Sequence, residues 1–131
     1  MQDPTPWVGG VEPFLMHTSS QFRSAGPLAL TSSAYTAEFN EVKALGAINS
    51  TTRTTEQTYI TKWWQFPDHE RVRQPSGPAT RTFTTFSQAL DEIVEARIWA
   101  GLHFRTADVQ GQVLGMKVAR YMQQHYFQPV D

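Results

Sequence analysis

Two side chains in this 131-residue chain have the type and setting to handle an anion, Arg97 and His103, with Asp108 close behind. A guanidinium carries a fork of donors and no acceptor, and it stays charged at any ordinary pH. An imidazole nitrogen can serve as a nucleophile or as a ligand. His103 stands six residues after Arg97, and Asp108 stands five after His103. Such a set suits an oxyanion with several oxygens to be held. The structural alternative is an ion pair of Arg97 with Asp91, Glu92 or Asp108.

Two helical patterns meet at His103. Leu90, Ile93, Val94, Arg97, Ile98 and Gly101 recur at i, i+3/i+4 and i+7 spacing, which predicts an amphipathic helix over 87–101. Arg97 falls on its apolar stripe, where stripping water from a lone charge is expensive, so it needs a carboxylate or a bound anion. A second helix is expected over 107–125, with Thr106 as N-cap and Asp108 in its first turn. His103 then precedes a helix N-terminus, whose amide donors favour an anion. Ala107, Gly111, Gly115 and Ala119 recur every four residues, a ridge of small side chains expected to set the closest helix crossing. His125, near the end of this helix, is expected to cap it.

Upstream, Ser32 or Ser33 caps a helix over 33–45 with Tyr35, Phe39, Val42 and Leu45 as its buried stripe and Gly46 closing it. Glu41 and Lys43 read as solvated charges. Residues 48–52 read as a polar linker. Thr54 or Thr55 begins a helix over 55–66 with Tyr59, Ile60, Trp63 and Trp64 as its stripe; the tryptophan pair is expected to pack in the core or against further helices rather than to form a ligand platform. Residues 67–79, with three prolines and Asp68-His69-Glu70, read as a surface loop without metal-ligand spacing. Residues 81–86 alternate polar and apolar types, compatible with a short extended segment, and Ser87 is the expected cap of the next helix. Residues 1–30, with four prolines and three glycines, read as an irregular arm that Trp7, Phe14, Leu15 and Phe22 could pin to a helical body, with His17 exposed.

Composition narrows the classes. Net charge is −1, with no basic stripe for nucleic acid. There are no cysteines, which excludes disulfides and thiol chemistry. Nothing approaches the ~20 apolar residues of a membrane span, and no signal peptide is legible, so a soluble protein is expected.

Arg97-x5-His103, the following Asp108 and the Gly111-x3-Gly115 helix resemble the last motif of a superfamily. It joins the vanadium-dependent haloperoxidases to the type 2 phosphatidic acid phosphatases. Similar stretches are Phe39-Asn40-Glu41-Val42-Lys43-Ala44-Leu45-Gly46, Arg53-Thr54-Thr55-Glu56-Gln57-Thr58, Thr80-Arg81-Thr82-Phe83 and the closing Tyr126-Phe127-Gln128-Pro129-Val130, as in the bacterial haloperoxidase-like branch. The resemblance implies an all-α fold, a partial helical bundle of the haloperoxidase/acid-phosphatase type, with 1–30 as arm and 31–131 as the C-terminal part of such a domain. It implies Arg97 as the clamp on vanadate or phosphate, and His103 as vanadate ligand or as nucleophile on phosphorus. Asp108 stands five residues after His103 where the phosphatase pattern has four, which leaves an orienting role open. Arg105 is a further candidate donor. The superfamily's lysine followed seven residues on by Arg-Pro is not matched, and Pro75-Ser76-Gly77-Pro78 has proline where its second motif, Pro-Ser-Gly-His, has histidine. Two functions follow: an oxyanion enzyme whose isolated activity is reduced, or a non-catalytic module. In the second, helices with uncovered apolar faces, including Trp63, Trp64 and Phe86, associate into a homo-oligomer or with a complementing chain.

Overall fold

The computed structural model describes residues 10–65, 81–126 and 128. Among them are four α-helices and no strand: α1 (Ser33–Gly46), α2 (Thr55–Gln65), α3 (Phe86–Trp99) and α4 (Arg105–His125). The fold is all-α, as expected. Trp7, the loop over 67–79 with its Asp68-His69-Glu70 and Pro75-Ser76-Gly77 stretches, and Pro129-Val130 lie outside the described residues.

The starts of α1, α2 and α3 have local causes. Ser32 Oγ accepts from Tyr35 N at 3.1 Å. Thr54 Oγ1 accepts from Gln57 N at 3.1 Å while Gln57 Oε1 accepts from Thr54 N at 2.8 Å, a reciprocal capping box. Thr85, rather than Ser87, caps α3 by accepting from Gln88 N at 3.1 Å. Residues 81–83 are irregular and lead directly into α3. The 48–52 linker is tied down: Ser50 and Thr52 hydroxyls both donate to Ala44 O, at 2.6 and 2.9 Å, and satisfy a carbonyl at the end of α1.

The chain divides into two units by contact, Pro27–Val109 and Met1–Gly26 with Gln110–Asp131. In the first, α1 and α2 both pack on α3. Its core is Tyr59, Ile60 and Ala96, with Trp63, Trp64 and Trp99 packed against them, so Trp63 and Trp64 are part-buried here and are not the uncovered faces expected for association. Ile98 is fully buried. The Trp64 indole donates to Glu92 Oε1 at 2.9 Å, and Arg81 pairs with Glu92 and Glu56. The expected stripe of α1 is only half-covered, since α1 buries no residue and Phe39 is 47% exposed. In the second unit, Tyr121 is buried and meets Phe22 and His17 of the arm edge-on, with centroids at 5.5 and 5.9 Å. His125 stacks on it, with Nδ1 against Tyr121 O at 2.9 Å, in a capping position. Phe14 is almost fully exposed and does not pin the arm.

Among the described glycines, the close backbone approach is not at the Gly111/Gly115 ridge. A Cβ added at either glycine would meet nothing within 4 Å. It is at Gly46 and Gly101, where α1 and α3 end: a Cβ on Gly46 would sit 2.3 Å from Gly101 Cα. Gly101 has φ +73°, a region that costs other L-residues energy. Gly101 N donates to Ile98 O at 2.9 Å and Leu102 N to Arg97 O at 3.1 Å, a Schellman motif. That motif ends α3 two residues before its expected end and turns the chain back toward Arg97.

Candidate functional site

The site lies wholly within the first unit, between the last turn of α3 and the first turn of α4. The Schellman turn and residues 102–104 carry the chain back so that His103 faces Arg97, six residues earlier. Arg97 Nη2 lies 3.0 Å from His103 Nε2, and His103 Nδ1 lies 2.6 Å from Asp108 Oδ1. The helical rise from Arg105 lifts Asp108 over His103, so a spacing of five still closes the contact. All three residues singled out in the sequence therefore meet.

The protons on this chain follow from donor chemistry. A guanidinium has no acceptor, so Nε2 must receive the Arg97 N–H with its lone pair. Nδ1 then carries the ring hydrogen and donates it to Asp108. The imidazole is thereby held as the Nδ1–H tautomer, with the Nε2 lone pair toward the guanidinium. The His103 side chain is 37% exposed and that of Asp108 only 14%. Ligand access is therefore from the histidine side. Asp108 Oδ2 is buried without a partner. Among the described residues no carboxylate pairs with Arg97, so ion pairs to Asp91, Glu92 or Asp108 do not form.

Two expectations at the start of α4 need correction. Thr106 is not the N-cap, because the helix already begins at Arg105; its N–H and hydroxyl both donate to Glu38 Oε1, the former at 3.0 Å. The helix N-terminus is thus already supplied with an anion, the Glu38 carboxylate of α1. Arg105 is not a free donor either. Its Nε and Nη2 reach Glu41 at 3.0 and 2.7 Å, and Nη1 and Nη2 reach Glu95. These bonds to Glu95 and then Glu41 hold the Arg105 guanidinium well above its ordinary pKa. Glu41 is consequently not a merely solvated charge.

Sequence reasoning missed Glu38, Glu41 and Glu95. Glu38 and Glu41 are three apart and share a face of α1, which could have marked them as a pair. Nothing local says that Arg105 and Thr106, more than sixty residues on, are their partners. Arg53 was missed as well. It ties the ends of α1 and α3 together, donating from Nη1 to Leu45 O at 2.8 Å and to Trp99 O at 2.6 Å.

Among the described residues there is no group of three or more metal-ligating side chains, and no helix is long and apolar enough to cross a membrane. A family model, the VCPO second helical-bundle domain, matches residues 14–131. Comparison with curated proteins and with solved structures returns no match.

Proposed function

The chain belongs to the VCPO second helical-bundle domain family, within the vanadium haloperoxidase-like superfamily, and on that premise we propose that Arg97, His103 and Asp108 form an oxyanion site for vanadate or phosphate. The observation that carries the reading is the Asp108–His103–Arg97 chain, with contacts of 2.6 and 3.0 Å. Asp108 fixes the ring and its tautomer. His103 Nε2 carries the ring's lone pair at the part-exposed end, and an incoming oxyanion frees it by taking over the Arg97 N–H that it accepts here. Arg97 stands beside that nitrogen, placed to neutralise an oxygen of whatever Nε2 engages.

His103 Nε2 would hold vanadate and the Arg97 guanidinium would neutralise its oxygens. Bound vanadate would supply the centre at which hydrogen peroxide oxidises halide to hypohalous acid. With a phosphate monoester, Nε2 would form the N–P bond as the ester P–O bond breaks. The departing alkoxide would take a proton from water, and water would then release phosphate and restore the imidazole.

Turnover by these residues alone is low in this reading. Arg105 is spent on Glu41 and Glu95, and Glu38 takes the donors at the α4 start, which leaves Arg97, among the described residues, as the guanidinium directed at His103. Each oxyanion donor lacking costs about 10²–10³ in rate. The test is an orthovanadate titration of ¹⁵N-histidine-labelled protein. The His103 Nε2 resonance should shift to saturation, and Arg97→Ala should weaken binding at least tenfold. A His103 signal unmoved by excess vanadate would remove the site.

A second reading rests on exposure. Phe86 is 97% exposed, and Leu90, one turn along α3, is 43% exposed. These residues favour a self-associating structural module, in which the triad is a structural hydrogen-bond chain.

A further inference from the structure

A second place in the same unit gathers donors that the triad does not use. A cavity of about 350 Å³ opens where α1 and α3 end against α2. Arg53, Thr58, Thr61, Lys62, Gln65 and Ala100 are among its walls, and among the described residues no carboxylate lines it. The volume falls in the range of small-molecule sites, at its lower end.

Its polar groups have capacity left over. Arg53 spends Nε on Thr58 Oγ1 at 3.0 Å and Nη1 on the carbonyls of Leu45 and Trp99, while its Nη2 has no hydrogen bond among the described residues. Lys62 has no carboxylate partner among the described residues, and its side chain is exposed at the cavity. Thr61 is only 6% exposed, yet its hydroxyl is buried with no partner. A buried hydroxyl left unbonded is costly, and such groups call for an explanation. The exposed carbonyls at helix C-termini ordinarily repel anions, but here Arg53 covers those of Leu45 and Trp99.

We infer that this cavity is a second anion site, separate from Arg97 and His103, that takes the phosphate or carboxylate group of a small molecule on Arg53 Nη2, Lys62 and the Thr61 hydroxyl. Two cations and a hydroxyl donor, with no counter-charge among the described residues, fit an oxyanion group. Ala100 gives the remaining volume an apolar wall for a short carbon body. The inference does not depend on the triad being functional.

Inorganic phosphate, and separately acetate, would be titrated into the ¹⁵N-labelled full chain, following the Arg53 Nε–H and the Thr61 and Lys62 amides alongside His103. At least one of the two anions should shift the first three signals to saturation. Phosphate alone marks a phosphate site, and acetate alone a carboxylate site. Lys62→Ala should weaken that binding about tenfold, the scale of one charge-assisted hydrogen bond. Thr61→Val should weaken it too, while leaving the anion-free melting temperature unchanged or higher, because it removes an unbonded hydroxyl. Shifts confined to His103 would overturn the inference and leave the triad reading intact. Shifts at Arg53 that neither variant alters, or a Thr61→Val protein that melts lower without anion, would also overturn it.

Discussion

Gly46→Ala places one methyl where the structure has no room for it. The new Cβ would lie 2.3 Å from Gly101 Cα and 2.8 Å from Gly101 N. Both are backbone atoms, so no side chain can swing aside. Reaching ordinary contact, near 3.4 Å, requires the ends of α1 and α3 to part by about 1 Å. Overpacking of this kind costs about 1–3 kcal/mol, and a backbone-on-backbone clash belongs at the upper end. Gly46 does not have a positive φ, so alanine is not strained there and recovers at most about 1 kcal/mol of helix preference. The net expectation is a loss of about 2 kcal/mol. Gly115→Ala is the matched control. Its Cβ meets nothing within 4 Å, so the same substitution should stabilise by about 0.5–1 kcal/mol. Urea unfolding gives both numbers directly, and thermal melts should separate the variants by about 10 °C. Because Gly101 belongs to the turn that returns the chain to Arg97, Gly46→Ala should also shift the His103 ring resonances. If Gly46→Ala is as stable as Gly115→Ala, the closest crossing is not at Gly46.

Three further outcomes are expected. Asp108→Asn should weaken vanadate binding about tenfold and lower the share of the Nδ1–H tautomer, read from ¹⁵N histidine shifts; an unchanged tautomer with unchanged affinity would show that Asp108 does not hold the ring. Arg105→Ala leaves Glu41 and Glu95 facing each other without a cation, and should cost about 1–2 kcal/mol in urea unfolding, less at high salt because all three side chains are about one-third exposed. Sedimentation at micromolar concentration should show a dimer or larger that Phe86→Ser with Leu90→Ser weakens; a monomer with and without these changes would end the self-association reading.

The sequence by itself determined what is local. Ser32, Thr54 and Thr85 start helices because a hydroxyl next to free amide donors needs no distant partner, and period-3.6 patterning located all four helices. The same locality made Arg97, His103 and Asp108 legible as a candidate: they lie within twelve residues, joined by one turn and the start of one helix. The ridge at Gly111 and Gly115 lies beyond what local sequence determines. A row of small residues permits a close crossing but does not create one, and the crossing formed at Gly46 and Gly101, fifty-five residues apart. Whether Arg105 and the α4 N-terminus were available to a ligand was likewise decided by α1, which brings Glu38 and Glu41 to them. Charges sixty residues apart in the chain pair only because α1 packs on α3, and that packing depends on how the folded elements share their surfaces rather than on any short stretch of sequence.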